Sequence, residues 1–200
     1  KLDGNANDSA GENHGVLLGD AGWVSDAELG WCLDLDGEGD YVDVGEDPSL
    51  TFTERITVAC WIKVRAFDRN WNAIIVKGDD WVLARTRDDN RVAFLCLGLT
   101  GGGWPEVYSG DVNDGEWHHV AGVYDGATLS MYQDGVVVDS KTVGSSQDPT
   151  AVQGDIWAEQ TYGPVGGYCD TGITFAVRGT AGPCYGGITS SISDDFSQWD

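Results

Sequence analysis

Between Glu116 and Ser140 (EWHHVAGVYDGATLSMYQDGVVVDS) apolar and polar residues alternate in short runs, broken by two Asp-Gly pairs. Side chains on a strand alternate between faces, so Leu129 and Met131 should point one way and Thr128, Ser130 and Tyr132 the other. The pattern predicts three consecutive antiparallel strands. Asp125-Gly126 and Asp134-Gly135 are placed to close the two hairpins, because Asp-Gly favours the primed turns whose twist matches paired strands.

The same period recurs along the chain. Residues 56–64 (ITVACWIKV) put Ile56, Val58, Cys60, Ile62 and Val64 on one apolar face. The other face carries Thr57, Ala59, Trp61 and Lys63, which suits a central strand or a ligand-facing sheet surface. Further strands are predicted at 16–18, 31–36, 41–44, 73–77, 81–86, 91–97, 106–109, 173–177 and in the closing stretch 188–199. Residues 144–168 read as a long irregular segment, and no window shows sustained helical periodicity. Short strands at about ten-residue spacing with Gly and Asp turns indicate an all-β antiparallel sandwich. With no internal repeat and no linker to divide it, residues 1–200 read as a single domain.

Composition narrows the partners. Thirty-three acidic against eleven basic residues give a formal charge of −22, which excludes the basic footprint that nucleic acid or an anionic membrane requires. Nine Trp, seven Tyr and five Phe argue for a packed core rather than the disorder that such acidity can mark. No run of about 18 apolar residues exists, so no helical membrane span is expected. The chain starts at Lys1 without a Met, which fits a segment removed ahead of it. Five cysteines in a Gly-rich, Lys-poor chain lean towards an oxidising, extracellular setting, with the odd number leaving one unpaired.

Three stretches, LDLDGEGDYVDVG, ITVACWIKV and GEWHHVAGVYDGATLSMYQDGVVV, resemble the laminin-G-like and concanavalin-A-like lectin/glucanase family. The matching positions are Asp36-Gly37 before Tyr41-Val42, Cys60-Trp61 where Ala-Trp is usual, Trp117 to Ala121, and Asp134-Gly135. The opening KLDGNANDSAGENHG and the closing Asp194-Asp195-Phe196 resemble the family's first and last segments. The resemblance implies a two-sheet antiparallel jelly-roll sandwich. The chain departs from the pattern at about 145–185, where GDIWAEQTYGPVGGYCDTG makes an atypical, insertion-like segment.

Sugar recognition needs exposed aromatics to stack on pyranose faces, with polar groups beside them. Trp71, Trp81, Trp104, Tyr108, Trp157 and Tyr162 are the candidates, several in or beside loops. Calcium needs six to eight oxygen ligands, and Asp3, Asn5 and Asp8 could meet Asp194 and Asp195 if the first and last strands lie side by side. Turn capping explains the same residues. Cys169 and Cys184 could staple the atypical segment as a disulfide, whereas Cys60 and Cys96 fall on apolar faces as buried thiols or a bridge. Cys32 is left as the odd one.

Catalytic signals are thin. Asp34, Asp36 and Asp43 partly match the spacing of a glycosidase carboxylate pair, but Asp36 enters a turn. His118 and His119 are adjacent on a strand, so they face opposite ways and cannot share one metal. The expected function is therefore a non-catalytic extracellular recognition module for carbohydrate or a glycosylated surface, with possible structural calcium. The alternatives are a structural or adhesive subunit of a cell-surface assembly, partnered by itself or by other surface proteins, and a glycoside hydrolase.

Overall fold

A computed structural model describes residues 2–36, 39–45, 47, 50, 54–67, 72–77, 81–85, 87–96, 99 and 105–144, and the strand backbones at 156–158, 173–176 and 188–189. The described residues form two antiparallel sheets and no α-helix. With strands numbered along the chain, the first sheet runs β1 (Val16–Leu18), β4 (Tyr41–Asp43), β13 (Ile156–Ala158), β6 (Asn72–Lys77), β7 (Trp81–Arg85), β8 (Arg91–Cys96), β9 (Glu106–Asp111). The second runs β12 (Val136–Thr142), β11 (Thr128–Gln133), β10 (Trp117–Tyr124), β5 (Ile56–Val64), β14 (Ile173–Ala176), β3 (Gly30–Leu35), β2 (Gly22–Asp26). A short β15 (Ile188–Thr189) also pairs with β5. The result is a jelly-roll sandwich, as the sequence predicts.

β5 is central, with β10 on one side and β14 on the other. Its apolar-face residues Val58, Cys60, Ile62 and Val64 are buried with Phe94, Leu83 and Ile74 of the first sheet in one continuous core. Alternation drives this placement, because the period of two gives each strand a single apolar face to bury. Leu129 and Met131 join the same core, whereas Thr128, Ser130 and Tyr132 lie on the outer side.

The two Asp-Gly turns differ. Asp134 and Gly135 both adopt left-handed backbone (φ 51° and 79°) between the paired residues Gln133 and Val136, the two-residue primed turn expected. At Asp125-Gly126 only the glycine is left-handed. The last pair is Tyr124 with Leu129, and the Asp125 carboxylate accepts hydrogen bonds from Ala127 N and Thr128 N at 2.8 and 2.7 Å. Side-chain capping therefore replaces the tight turn with a longer loop.

Two further strands depart from the sequence reading. β2 was not predicted, and β13 lies within the stretch read as irregular yet sits between β4 and β6. Of the closing stretch only β15 is described, so the expected adjacency of first and last strands, with Asp194 and Asp195, falls outside the described residues. β1 pairs with β4 in one sheet, and β15 with β5 in the other.

The open side between β9 and the β11–β12 hairpin is closed by side chains. Asp139 Oδ2 accepts from Tyr108 N at 2.9 Å, and Gln133 Oε1 from Gly110 N at 2.7 Å. These bonds satisfy amides of β9 on the side where no described strand pairs with it, which is how an edge avoids templating aggregation. No helix among the described residues is long and apolar enough to cross a membrane.

Candidate functional site

Tyr108 lies on the outer face of the first sheet, because its neighbours Val107 and Ser109 turn inward and are buried. In register across that face stand Ala93, Ala84 and Ala73, so Tyr108 ends a row of three alanines. The alanine end of the row is not open. Ala73, Val76, Val82, Ala84 and Leu95 form a second buried cluster there, which leaves the polar surface at the β8–β9 edge.

Three arginines approach this edge from the end of β7, the β7–β8 connection and the start of β8. Arg85 turns inward, with its guanidinium 5.2 Å from the Phe67 ring centre and Nε donating to Asp89 O at 2.6 Å. Arg87 and Arg91 turn outward onto Tyr108, their guanidinium carbons 5.6 and 4.5 Å from its ring centre. Both distances lie in the range of cation–π attraction. Arg87 Nη2 donates to Glu106 Oε2 at 2.9 Å, and the Tyr108 hydroxyl hydrogen-bonds the same carboxylate oxygen. Arg91 directs Nε and Nη2 to Asp89 Oδ2 at 3.0 and 2.6 Å. That guanidinium holds the Asp89 carboxyl below its usual pKa range.

The turn is itself pinned. Asn90 Nδ2 donates to Asp111 Oδ2 at 3.0 Å, and Val112 N to Asn90 O at 3.0 Å. Ser109 Oγ accepts from Val92 N at 2.8 Å, bridging the irregular register between Arg91 and Ala93. The patch thus presents an aromatic ring, two guanidinium groups and a carboxylate on a braced edge. Chemically it offers stacking, donation and acceptance side by side.

A family model for the concanavalin A-like lectin/glucanases superfamily matches residues 36–168. The chain belongs to this superfamily. No curated protein matches it in sequence. Among solved structures it is similar to the binding domain of Paraclostridial Mosquitocidal Protein 1, at 14% identity and a TM-score of 0.64, covering 91% of this chain and 46% of that one. The botulinum neurotoxin serotype C1 binding domain gives 15% identity and 0.62, covering 94% and 47%. The serotype D ligand binding domain, solved in complex with N-acetylneuraminic acid, gives 14% and 0.60, covering 91% and 44%. At such identity the likeness shows the fold, and this chain spans less than half the length of these neighbours.

Of the aromatics singled out from the sequence of this superfamily member, Trp81 and Tyr108 have described side chains, and Tyr108 lies at a polar edge. Trp81 corrects the expectation: it is 1% exposed within the inter-sheet core, and a ring with no open face cannot stack on a sugar. Trp157 is described only as part of the β13 backbone, and Trp71, Trp104 and Tyr162 lie outside the described residues. So do Cys169, Cys184, Asp194 and Asp195. Cys32, Cys60 and Cys96 are buried thiols, and burial pushes the Cys60 thiol pKa up.

The opening turn uses its oxygens locally. Asn5 Oδ1 accepts from Asn7 N at 2.9 Å, and Asp8 accepts from Ala10 N and Asn13 N at 2.8 and 3.2 Å. Asp3 is exposed nearby. The carboxylates weighed for catalysis are likewise engaged. Asp34 pairs with Arg65 at 2.7 Å, and Asp43 caps Gly45 N at 2.8 Å. Asp36 joins Asp20 and Asp40, with one oxygen of each within 4.8 Å of the others. Buried Asp40 accepts from Asp20 N at 2.7 Å and Asp36 N at 3.1 Å, so it staples two turns together, and burial raises its pKa.

Sequence reasoning missed Arg87, Arg91 and Glu106. The available signal was charge: three of the eleven basic residues fall between positions 85 and 91 of a strongly acidic chain. It also missed Trp31, which is 54% exposed at the start of β3 beside the left-handed Gly4.

Proposed function

We propose that this chain is a non-catalytic carbohydrate-recognition module of an extracellular protein, with Tyr108 as its stacking platform. The observation that carries this reading is the outward Tyr108 ring, ringed by Arg87, Arg91 and Glu106 on the braced edge. Sugars are held by one apolar face and several hydroxyls, and this patch supplies a partner for each. The fold neighbours support the general reading, since they are binding domains, one of them solved with N-acetylneuraminic acid and one with SialylT. The carboxylates considered for hydrolysis serve as caps and ion-pair partners, which favours binding over cleavage.

A glycan array followed by calorimetry on the best ligand tests the reading. Tyr108→Ala, with its circular dichroism unchanged, should bind at least about tenfold more weakly, because losing one aromatic platform costs on the order of 1.4 kcal/mol. Absence of glycan binding by the folded protein, or equal binding by the variant, would defeat it.

A second reading, an adhesive subunit, is favoured by Val136, Val137 and Val138 on edge strand β12, which are 64%, 49% and 46% exposed. Three adjacent exposed valines on an edge invite strand pairing. The −22 charge opposes contact between copies. Sedimentation showing dimers without sugar would support this reading over the first.

A further inference from the structure

We infer that the Tyr108 site selects an uncharged, hydroxyl-rich sugar and discriminates against sialylated or uronic-acid ligands. The inference rests on the carbohydrate reading above and adds the ligand class. Its basis is that each cation at the site already has its own anion. Arg87 Nη2 is 2.9 Å from Glu106 Oε2, and Arg91 gives both Nε and Nη2 to Asp89 Oδ2. The edge of Arg91 that could grip a carboxylate in two-pronged fashion is therefore occupied. Asp111 stands close by, bonded to Asn90 in the same turn.

A ligand carboxylate entering here would gain two guanidinium contacts while facing Glu106 and Asp89 at similar range. Like charges at such separations repel as strongly as the arginines attract. The −22 charge of the whole chain adds a long-range field of the same sign, which slows approach of any anion. A sugar hydroxyl meets no such conflict, because it both donates and accepts. It can accept from Arg87, whose side chain is 61% exposed, and donate to what remains open of the Glu106 carboxylate, whose side chain is 14% exposed. The Tyr108 ring supplies the apolar face, and Tyr108 OH holds Glu106 in place from below. Alternating acceptor and donor groups beside a ring match vicinal hydroxyls on a pyranose.

The test is an array of matched pairs, each a neutral oligosaccharide printed beside the same oligosaccharide with a terminal sialic acid, probed with wild type and Glu106→Gln. Wild type should bind neutral members at least about tenfold more tightly than their sialylated partners. Calorimetry at low and high salt should change the neutral affinity by less than about twofold, because no net charge is exchanged. Glu106→Gln keeps an oxygen for Tyr108 but removes the repelling charge. It should weaken neutral ligands and narrow the gap to sialylated ones. Wild type that prefers sialylated members, with an affinity falling in high salt, would overturn the inference and leave the carbohydrate reading intact. No binding to any member of any pair would remove both.

Discussion

The Phe94 ring of one sheet closes directly over Gly122 of the other, at a point where a side chain on Gly122 would collide with the ring. Phe94 is fully buried, and Gly122 pairs with Val58 and Met131 in the middle of the second sheet. Glycine is present here for space, since its φ is not left-handed and no turn is involved. Gly122→Ala should destabilise by about 1–3 kcal/mol or more, the cost of overpacking a core with nowhere to expand. Phe94→Leu should relieve part of that loss. A double-mutant cycle by urea denaturation that shows strict additivity would contradict the contact.

The two adjacent histidines should pull stability in opposite directions with pH. His118 Nδ1 lies 2.9 Å from Asp134 Oδ2, and Nε2 lies 3.2 Å from Asp114 Oδ1. Burial works to lower its pKa, but the two carboxylates outweigh burial and hold it above the usual value. Its contribution is therefore complete below the unfolded value of about 6.5 and is lost as pH rises through the raised folded value. His119 is buried, edge-on to Trp61 with ring centres 5.4 Å apart, and burial lowers its pKa. It destabilises as pH falls below about 6.5, because the unfolded chain then takes up the proton more readily. In His118→Gln the His119 effect stands alone. Chemical denaturation across pH should show the variant losing most relative to wild type in acid, with the difference narrowing towards pH 8. A difference independent of pH would refute the carboxylate clamp.

How far the sequence reached can be seen at particular residues. β5 and the β10–β12 meander were legible because their alternation is long and their turns carry Asp-Gly. β2 was not, because Trp23 and Val24 are adjacent apolar residues and Gly22 and Ser25 blur the period. β13 is three residues long, too short for any period to register, and its place between β4 and β6 is set by pairing alone. The site was half legible. Tyr108 stood out as an aromatic, but Arg87, Arg91 and Glu106 come from a turn and two strands that only register brings together.

Register at β9 also makes Asp139 a positioning residue for the site. Its Oδ2 accepts from Tyr108 N at 2.9 Å across the open side of the sandwich. Asp139→Ala leaves that edge amide without its partner, and should cost about 1–2 kcal/mol of stability. It should also weaken sugar binding several-fold by freeing the strand that carries Tyr108. Asp139→Asn retains an oxygen acceptor and should recover much of both. Stability lost with sugar affinity untouched would confine Asp139 to the fold.

Trp81 separates core from site most sharply. It follows the 78–80 connection, which made it resemble a loop aromatic, but its pairing with Lys77 turns it into the core. Its indole N–H is buried with no hydrogen-bond partner among the described residues. Trp81→Ala should cost about 3–5 kcal/mol through the cavity it leaves. Trp81→Phe should be milder, because the smaller ring leaves a void but also removes an unsatisfied donor worth about 1–3 kcal/mol. Neither change touches Arg87, Arg91 or Tyr108, so sugar affinity of the folded Trp81→Phe protein should match wild type. Calorimetry showing a loss of affinity in that variant, at conditions where it is fully folded, would return Trp81 to the binding surface.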